Sequence, residues 1–260
     1  MPETRRSGLR IHYRLEGRGT PVVLVHGYTA SGWSNWIAPG WVERLAAEHT
    51  LLIPDLRGHG QSEKPRHAAA YSRAAFAADV LAVMDEEGLE RAPVVGYSMG
   101  GMVALELLGR HGERFDRGVI GGMGSYFPRG RGRFALERRH PRSSAPRRPP
   151  LAYLAYLARY WSELDLAAVG SVYRGVFRGA QPVDPELLPR ISQPVLVAAG
   201  TRDVFFEPAV ALARNLPNAR FLPVPHDGHV GAIRNPRLIE AVARFLREPA
   251  ASARSAAPPG

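Results

Sequence analysis

The sequence predicts an α/β fold with a largely parallel sheet, and three observations support that prediction. Short apolar runs alternate with amphipathic stretches along most of the chain, which is the rhythm of β–α units. Residues 21–25 (PVVLV) form a continuous apolar run, as expected for a strand buried on both faces. The 260 residues are 45% hydrophobic and 22% charged, an ordinary globular composition that can bury a sizeable core.

Each predicted element follows from the same patterns. Strands are predicted at residues 9–15, 21–25, 50–53, 92–95, 117–120, 194–198 and 220–224. Helices are predicted at residues 41–48, 72–87, 100–111, 151–162, 166–177, 208–215 and 236–247. Ser72 and Asn235 are expected N-caps, and Pro236 suits the first helical position.

One segment interrupts this rhythm. Residues 126–190 are predicted to form an inserted lid in a core made of residues 1–125 and 191–248, and residues 249–260 are predicted to be a disordered tail. Within the lid, residues 129–150 hold eight arginines and one glutamate, so +7 of the formal net charge of +10 lies there. This segment is rich in Arg and Pro and poor in apolar residues, which predicts an irregular, flexible chain.

Composition excludes several classes of function. The chain has no cysteine, which removes disulfide scaffolds, thiolate catalysis and cysteine-based zinc sites. The first residues contain no apolar run and no stretch reaches about 18 apolar residues, so we expect no signal peptide, no membrane span and a cytoplasmic protein. The histidines are scattered and no glycine-rich phosphate loop has the required spacing, so no metal and no cofactor are expected.

The strongest local pattern is Gly96-Tyr97-Ser98-Met99-Gly100, directly after a predicted strand and directly before a predicted helix. This is the context in which G-x-S-x-G forms a nucleophile elbow. The glycines are needed because side chains at 96 or 100 would crowd the sharp turn that pushes the serine outward. A tight turn with an incidental serine is the alternative, and the flanking elements favour Ser98 as a nucleophile.

A serine hydroxyl needs a base, and the base needs an orienting carboxylate. In this architecture the chain order is serine, acid, histidine. Asp203 follows a predicted strand at the edge where open α/β sheets bind ligands, whereas the competing Glu207 is expected to open the next helix. His229 is preferred over His226 as the base because it follows a glycine and leads towards the final helix.

Two backbone N–H groups are expected to stabilise the oxyanion: that of Met99, after the nucleophile, and that of Tyr28, in the loop after residues 21–25. In that loop His26 is expected to make a structural hydrogen bond. Trp33, like its neighbour Trp36, is alternatively a core residue. Four aromatic residues are candidates for lining the substrate pocket: Tyr28, Trp33, Tyr97 and Tyr126.

These motifs carry a family resemblance. HG at 26–27, DLRGHGQS at 55–62, GYSMGG at 96–101, GTRD at 200–203 and DGH at 227–229 together resemble the α/β-hydrolase superfamily. The resemblance covers nearly the whole chain except the lid and tail. It implies the α/β-hydrolase fold: a mostly parallel, eight-stranded sheet flanked by helices, with an inserted helical lid over the triad. It also implies that Arg57 and His59 are structural. Cofactor-free haloperoxidase-like serine esterases resemble the DLRGHG and GYSMGG parts best.

The resulting hypothesis is a serine hydrolase that cleaves a small carboxylic ester or lactone. A serine at the elbow argues against the similar haloalkane dehalogenases and epoxide hydrolases, which use aspartate there. The GWSN stretch at 32–35 resembles carbon–carbon bond hydrolases of the meta-cleavage-product type, which stay an alternative. A non-hydrolytic biosynthetic enzyme or a ligand-binding protein on the same fold also stays open.

The expected partner is a small acyl substrate. The arginines of residues 129–150 could receive an anionic or carrier-linked substrate, although a solvated loop is the simpler interpretation. No nucleic-acid motif accompanies the charge, so neither nucleic acid nor membrane is an expected partner. The sequence does not indicate an oligomeric state.

Overall fold

The computed structural model describes residues 2–6, 8–126, 151–178 and 183–249, and this part of the chain contains an eight-stranded sheet. The strands lie in the order β1-β2-β4-β3-β5-β6-β7-β8, and all neighbours from β4 to β8 are parallel. The predicted α/β class and mostly parallel sheet are therefore confirmed. The strand bounds are β1 (Glu3–Arg6), β2 (Leu9–Gly17), β3 (Thr20–Val25), β4 (His49–Pro54), β5 (Val94–Tyr97), β6 (Gly118–Gly121), β7 (Val195–Gly200) and β8 (Ala219–Val224).

Strand β1 was not predicted. It reads ETRR, and only Thr4 is buried, so it carries no apolar run that a sequence pattern could detect. The strand forms because its backbone pairs antiparallel with β2, with Thr4 opposite Ile11. Short, charged edge strands of this kind are common because they discourage pairing with other chains.

Helices cover both faces of the sheet. Ser72 and Asn235 cap helices as predicted: the Ser72 side chain accepts a hydrogen bond from the Ala75 N–H at 3.0 Å, and Asn235 accepts one from the Arg237 N–H at 2.8 Å. The helix bounds are α1 (Trp41–Leu45), α2 (Arg73–Glu86), α3 (Met99–Arg110), α4 (Leu151–Glu163), α5 (Leu166–Val172), α6 (Phe206–Asn215), α7 (His229–Ala232) and α8 (Pro236–Arg247).

Strand β3 shows how the sheet separates two hydrophobic clusters. Val23 and Val25 join the cluster that contains the buried sides of α2 and α3. Val22 and Leu24 join the other cluster, with Trp36 and the buried sides of α1 and α8. Because successive side chains of a strand point to opposite faces, a continuous apolar run is what a strand between two helical layers requires.

Helices α4 and α5 follow β6 and precede β7, within the segment predicted to be the lid. The prediction of one helix over residues 166–177 is wrong in part, since α5 ends at Val172 and a wider helical turn continues to Phe177. The division into core and lid stays a prediction. The Arg-rich residues 129–150 and residues 250–260 of the predicted tail lie outside the described residues. None of the helices in the described part of the chain is long and apolar enough to cross a bilayer.

Candidate active site

Ser98 occupies a sharp turn between β5 and α3. Its backbone has φ 56° and ψ −117°, a positive φ that residues other than glycine rarely adopt. Its N–H donates to the Gly121 carbonyl at 2.7 Å, which ties the turn to the neighbouring strand β6. Residues held in such backbone conformations cluster at functional sites, where the surrounding structure imposes the strain.

The two glycines that flank the turn leave no room for a side chain. A Cβ on Gly96 would lie 2.1 Å from the Gly100 carbonyl oxygen, and a Cβ on Gly100 would lie 2.0 Å from the Val25 carbonyl oxygen. Both obstacles are backbone atoms, which cannot rotate away. The glycines therefore allow α3 to start directly against β3 and β5.

Gly100→Ala is expected to destabilise the protein by about 3 kcal/mol or more, because the methyl group must displace backbone at the centre of the sheet. Urea unfolding followed by circular dichroism would measure the loss. Gly170→Ala is the matched control, since a Cβ there meets only the flexible end of Arg174 at 3.4 Å. Equal stability of the Gly100→Ala variant and the wild type would contradict the crowding argument.

Three polar side chains form a hydrogen-bonded relay at the carboxyl ends of the strands. Asp203 Oδ2 lies 2.9 Å from His229 Nδ1, and His229 Nε2 lies 3.0 Å from Ser98 Oγ. Because an ionised carboxylate only accepts hydrogen bonds, His229 Nδ1 donates to Asp203. The lone pair of Nε2 then faces the serine hydroxyl, as a general base requires.

Buried contacts hold Asp203 and His229 in place. The Asp203 side chain is fully buried, and its Oδ1 accepts the Phe205 N–H at 3.0 Å. The rings of Phe205 and Tyr97 pack on the His229 imidazole with centroids 5.5 and 5.6 Å away. The Tyr97 hydroxyl also donates to the His229 carbonyl at 2.5 Å. The orientation of the imidazole is thus determined on several sides.

The competing acid and base lie outside this relay. Glu207 is exposed in the first turn of α6. His226 is also exposed and has φ 65°, and its backbone N–H donates to Thr201 Oγ1 at 2.8 Å. The structure therefore brings together the three residues that the sequence favoured, Ser98, Asp203 and His229.

Known proteins are similar to this chain in sequence and in fold. Residues 20–129 match the family model described as alpha/beta hydrolase fold. The enol-lactonase from Burkholderia xenovorans LB400 aligns with a TM-score of 0.74 and 25% identity, over 95% of this chain and 100% of that chain. The chain therefore has the α/β-hydrolase fold, and these matches support its place in the α/β-hydrolase superfamily.

Other members of this superfamily are similar over different lengths. An N-acyl homoserine lactone degrading enzyme, Est816, aligns with a TM-score of 0.75 and 26% identity over 94% of this chain and 99% of that chain. A 2-hydroxymuconate semialdehyde hydrolase of Pseudomonas sp. (strain CF600) is 35% identical over 127 residues, 47% of this chain and 43% of that protein. The matched segment spans less than half the length of the curated relatives.

The expected oxyanion donors of this α/β-hydrolase stand beside the serine. Met99 is the first residue of α3, so its N–H has no intrahelical acceptor. Tyr28 lies in the oxyanion loop (residues 26–31), which follows β3. A Cβ on Gly27 of this loop would lie 3.3 Å from the Ser98 Cβ, so the loop passes directly by the serine. Among the described residues, neither the Met99 N–H nor the Tyr28 N–H donates to a backbone carbonyl.

The four pocket candidates have different environments. The Tyr28 ring packs on Phe177, in the segment predicted to be the lid, with centroids 5.0 Å apart. Trp33 packs against Tyr156 of α4 at 5.2 Å. Tyr126 follows β6 and is 43% exposed.

The expectation for Tyr97 is wrong. Its side chain is buried in the hydrophobic cluster that also contains Val22 and Leu24 of β3. From there its hydroxyl donates to the His229 carbonyl and so supports the histidine. The reason is strand alternation: Tyr97 is the last residue of β5 and points to the opposite face from its neighbours. The role of Tyr97 as a support for the histidine carried no signal in the sequence.

Asn35 is a further residue that sequence reasoning did not single out. Its Oδ1 accepts the Gly27 N–H at 2.7 Å and so holds the start of the oxyanion loop. The signal was present, because Asn35 is the last residue of the GWSN stretch. Its neighbour Trp36 is fully buried, which agrees with the core alternative for that residue.

His26 and the DLRGHG turn form a buried scaffold behind the oxyanion loop. His26 donates from Nδ1 to the Gly27 carbonyl at 2.8 Å and accepts the Leu56 N–H at Nε2 at 3.0 Å, so it is a neutral imidazole. Arg57 donates twice to Asp79 in a buried ion pair. His59 Nδ1 donates to the Arg57 carbonyl at 3.0 Å. These side chains shape the loop from within the protein.

Burial keeps two of these histidines uncharged. The pKa of His59 is lowered to about 3, mainly by burial and to a smaller extent by the neighbouring His26. Burial also lowers the pKa of His26, against an opposing contribution from Asp55. Among the described residues no group of three or more His, Cys, Asp or Glu side chains could hold a metal ion.

The protein is expected to lose stability as the pH falls below about 6.5, the ordinary histidine pKa. The unfolded chain takes up protons there while the folded His59 stays neutral down to about pH 3. Each such histidine contributes up to about 1.4 kcal/mol per pH unit. Denaturant unfolding at pH 7, 6 and 5 would show the slope, and His59→Leu should reduce it. An unchanged slope in that variant would contradict the assignment to His59.

Proposed function

We propose that this protein is a serine hydrolase that cleaves a small carboxylic ester or lactone through an acyl-enzyme intermediate. The observation that carries the proposal is the unbroken relay from Asp203 through His229 to Ser98, with hydrogen bonds of 2.9 and 3.0 Å. Side chains in this arrangement convert a weakly nucleophilic hydroxyl into an effective nucleophile.

In the acylation half of the reaction, Ser98 Oγ attacks the carbonyl carbon while His229 Nε2 takes the hydroxyl proton. The carbonyl electrons move onto oxygen, and the N–H groups of Tyr28 and Met99 stabilise that negative charge. When the tetrahedral intermediate collapses, the bond to the leaving oxygen breaks and His229 returns the proton to it. Asp203 stabilises the imidazolium in between and keeps its orientation.

Deacylation repeats these steps with water as the nucleophile. His229 Nε2 takes a proton from water as the water oxygen attacks the acyl carbon. The second intermediate releases the carboxylic acid, and the proton returns to Ser98 Oγ. A lactone follows the same course, but its leaving alcohol stays attached to the released acid.

The range of substrates is supported by similarity over most of the chain. The enol-lactonase and the N-acyl homoserine lactone degrading enzyme both align over at least 94% of this chain and 99% of their own. Both names refer to a lactone, a cyclic ester, and hydrolysis of such an ester needs a nucleophile, a base and an oxyanion site. Lactones and simple esters are therefore the first substrates to test.

A carbon–carbon bond hydrolase of the meta-cleavage-product type is the second candidate. It is favoured by the 35% identity to the 2-hydroxymuconate semialdehyde hydrolase and by the GWSN stretch. In this chain Asn35 of that stretch accepts the Gly27 N–H, so the stretch that carries the resemblance contacts the oxyanion loop. Turnover of a vinylogous 1,5-diketone in preference to esters would favour this candidate.

Covalent labelling tests the proposal directly. A fluorophosphonate probe is expected to modify Ser98 in the wild type and not in Ser98→Ala, with the site read by peptide mass spectrometry. Esters and lactones of increasing acyl length would then define the substrate. If the wild type carries no label on Ser98, the acyl-enzyme proposal is wrong.

A further inference from the structure

The oxyanion loop is held in a conformation that its own sequence disfavours. Thr29, directly after Tyr28, has φ 60°. A β-branched residue is strained there, and such a backbone persists only where surrounding contacts impose it. The direction of the Tyr28 N–H depends on this turn, so the contacts that hold Thr29 also position the oxyanion donor.

Hydrogen bonds within the loop and to Ser34, just after it, supply part of that hold. The Ala30 N–H donates to the Gly27 carbonyl at 3.3 Å, which closes the turn around Thr29. The Ser31 N–H donates to Ser34 Oγ at 2.9 Å. These contacts fix the two ends of the turn, but they do not reach the Thr29 side chain.

The lid supplies the remaining contacts. Ser31 Oγ donates to Glu163 Oε2 at 2.6 Å, and the Tyr160 hydroxyl lies 3.4 Å from Thr29 Oγ1. The Tyr28 hydroxyl donates to the Val169 carbonyl of α5 at 2.9 Å. A cavity lined by this loop and α4 has a volume of about 10 Å³, room for about one water molecule. The lid is thus packed closely against the loop.

The hydrogen bond from Ser31 to Glu163 is the strongest of these contacts. The Glu163 side chain is only 14% exposed, and the Ser31 residue that it binds is 3% exposed. Arg159, one helical turn earlier, donates to Glu163 Oε1 at 3.2 Å and lies 4.3 Å over the Trp33 ring. Hydrogen bonds to a charged acceptor are about twice as strong as neutral ones, and partial burial protects this one from water.

We propose that Glu163 is a positioning residue for the oxyanion site. Through Ser31 it holds the strained turn at Thr29, so that the Tyr28 N–H points at the developing negative charge. The role rests on the proposed function, because it acts on the donor used in that reaction. Because Glu163 belongs to α4, the rate of the chemical step depends on where α4 packs against the loop. Substrate affinity does not depend on Glu163.

Glu163→Ala is the first test. We expect kcat for a neutral ester to fall by about 10- to 100-fold, since misplacing one oxyanion donor costs up to the full effect of removing it. KM should stay within about twofold, because the lost interaction is made only in the transition state. Glu163→Gln retains an acceptor oxygen for Ser31 and should keep most of the activity.

Two further variants separate positioning from a general loosening of the lid. Arg66→Ala removes an exposed ion pair with Asp165, which anchors the start of α5 without touching the oxyanion loop. That variant should keep wild-type kcat. Ser31→Ala removes the same hydrogen bond from the loop side, and the double variant with Glu163→Ala should be no worse than the more affected single variant.

A substitution that relieves the backbone strain at Thr29 tests the positioning role directly. Asparagine tolerates positive φ better than threonine, so Thr29→Asn in the Glu163→Ala background should restore part of kcat. The positioning role is overturned if the wild type labels at Ser98 and turns over esters while Glu163→Ala keeps its kcat. It is also overturned if kcat falls equally in Arg66→Ala. Absence of labelling in the wild type would instead reject the proposed function itself.

Discussion

Replacing Ser98 with alanine is expected to lower kcat for the best ester substrate by about 10⁴- to 10⁶-fold. The hydroxyl is the only atom in the relay that can form the acyl-enzyme, and what remains is binding and oxyanion stabilisation of a direct attack by water. The fold should not suffer, because alanine has the same Cβ and meets the same backbone strain at φ 56°. Steady-state kinetics with a thermal unfolding scan of each variant would measure both quantities.

Ser192→Ala is the matched control for this measurement. Ser192 is an exposed serine in the segment before β7, far along the chain from the elbow. Its loss should leave kcat and the thermal midpoint at wild-type values. Activity of Ser98→Ala within tenfold of the wild type would show that the hydrolysis does not use this serine.

Asp203→Asn is expected to lower kcat by about 10⁴-fold with little change in KM. The asparagine amide can donate to His229 Nδ1, which favours the tautomer with the proton on Nε2. The imidazole would then have no lone pair for the Ser98 hydroxyl, although all three side chains keep their places. Size and shape are nearly conserved, so the comparison isolates hydrogen-bond polarity.

Glu207→Gln makes the same chemical change at the acid that the sequence alone could not dismiss. Glu207 lies on the surface of α6, so this variant should retain wild-type kinetics. Pre-steady-state turnover would also show whether the acylation step is the one that slows in Asp203→Asn. Equal losses in the two variants would contradict the assignment of Asp203 as the orienting acid.

Together these expectations assign different kinetic effects to different parts of the site. Loss of Ser98 or of the Asp203 carboxylate affects the chemistry directly. Loss of Glu163 is expected to affect only the geometry of a donor, so its effect should be smaller and a nearby substitution should compensate for part of it. On this proposal the predicted lid also positions a donor of the oxyanion site, a role that substrate binding alone would not predict.

The sequence by itself determined the features whose causes are local. The glycines around Ser98 mark the sharp turn, since no residue with a Cβ fits at 96 or 100. Ser72 and Asn235 mark helix starts because their side chains bind amides two or three residues further on. The apolar run of β3 marks a central strand because both of its faces are covered. The serine–acid–histidine order likewise follows from which strand each residue comes after.

Only the tertiary structure decided the features that join distant segments. Strand β1 exists because of its pairing partner, not its own residues. The sequence makes Tyr97 a pocket candidate, but strand alternation turns its side chain into the core. Ser31 and Glu163 are 132 residues apart, and no pattern in either segment indicates the other. Local sequence specifies backbone conformation, whereas contacts across such separations are set by how the elements pack.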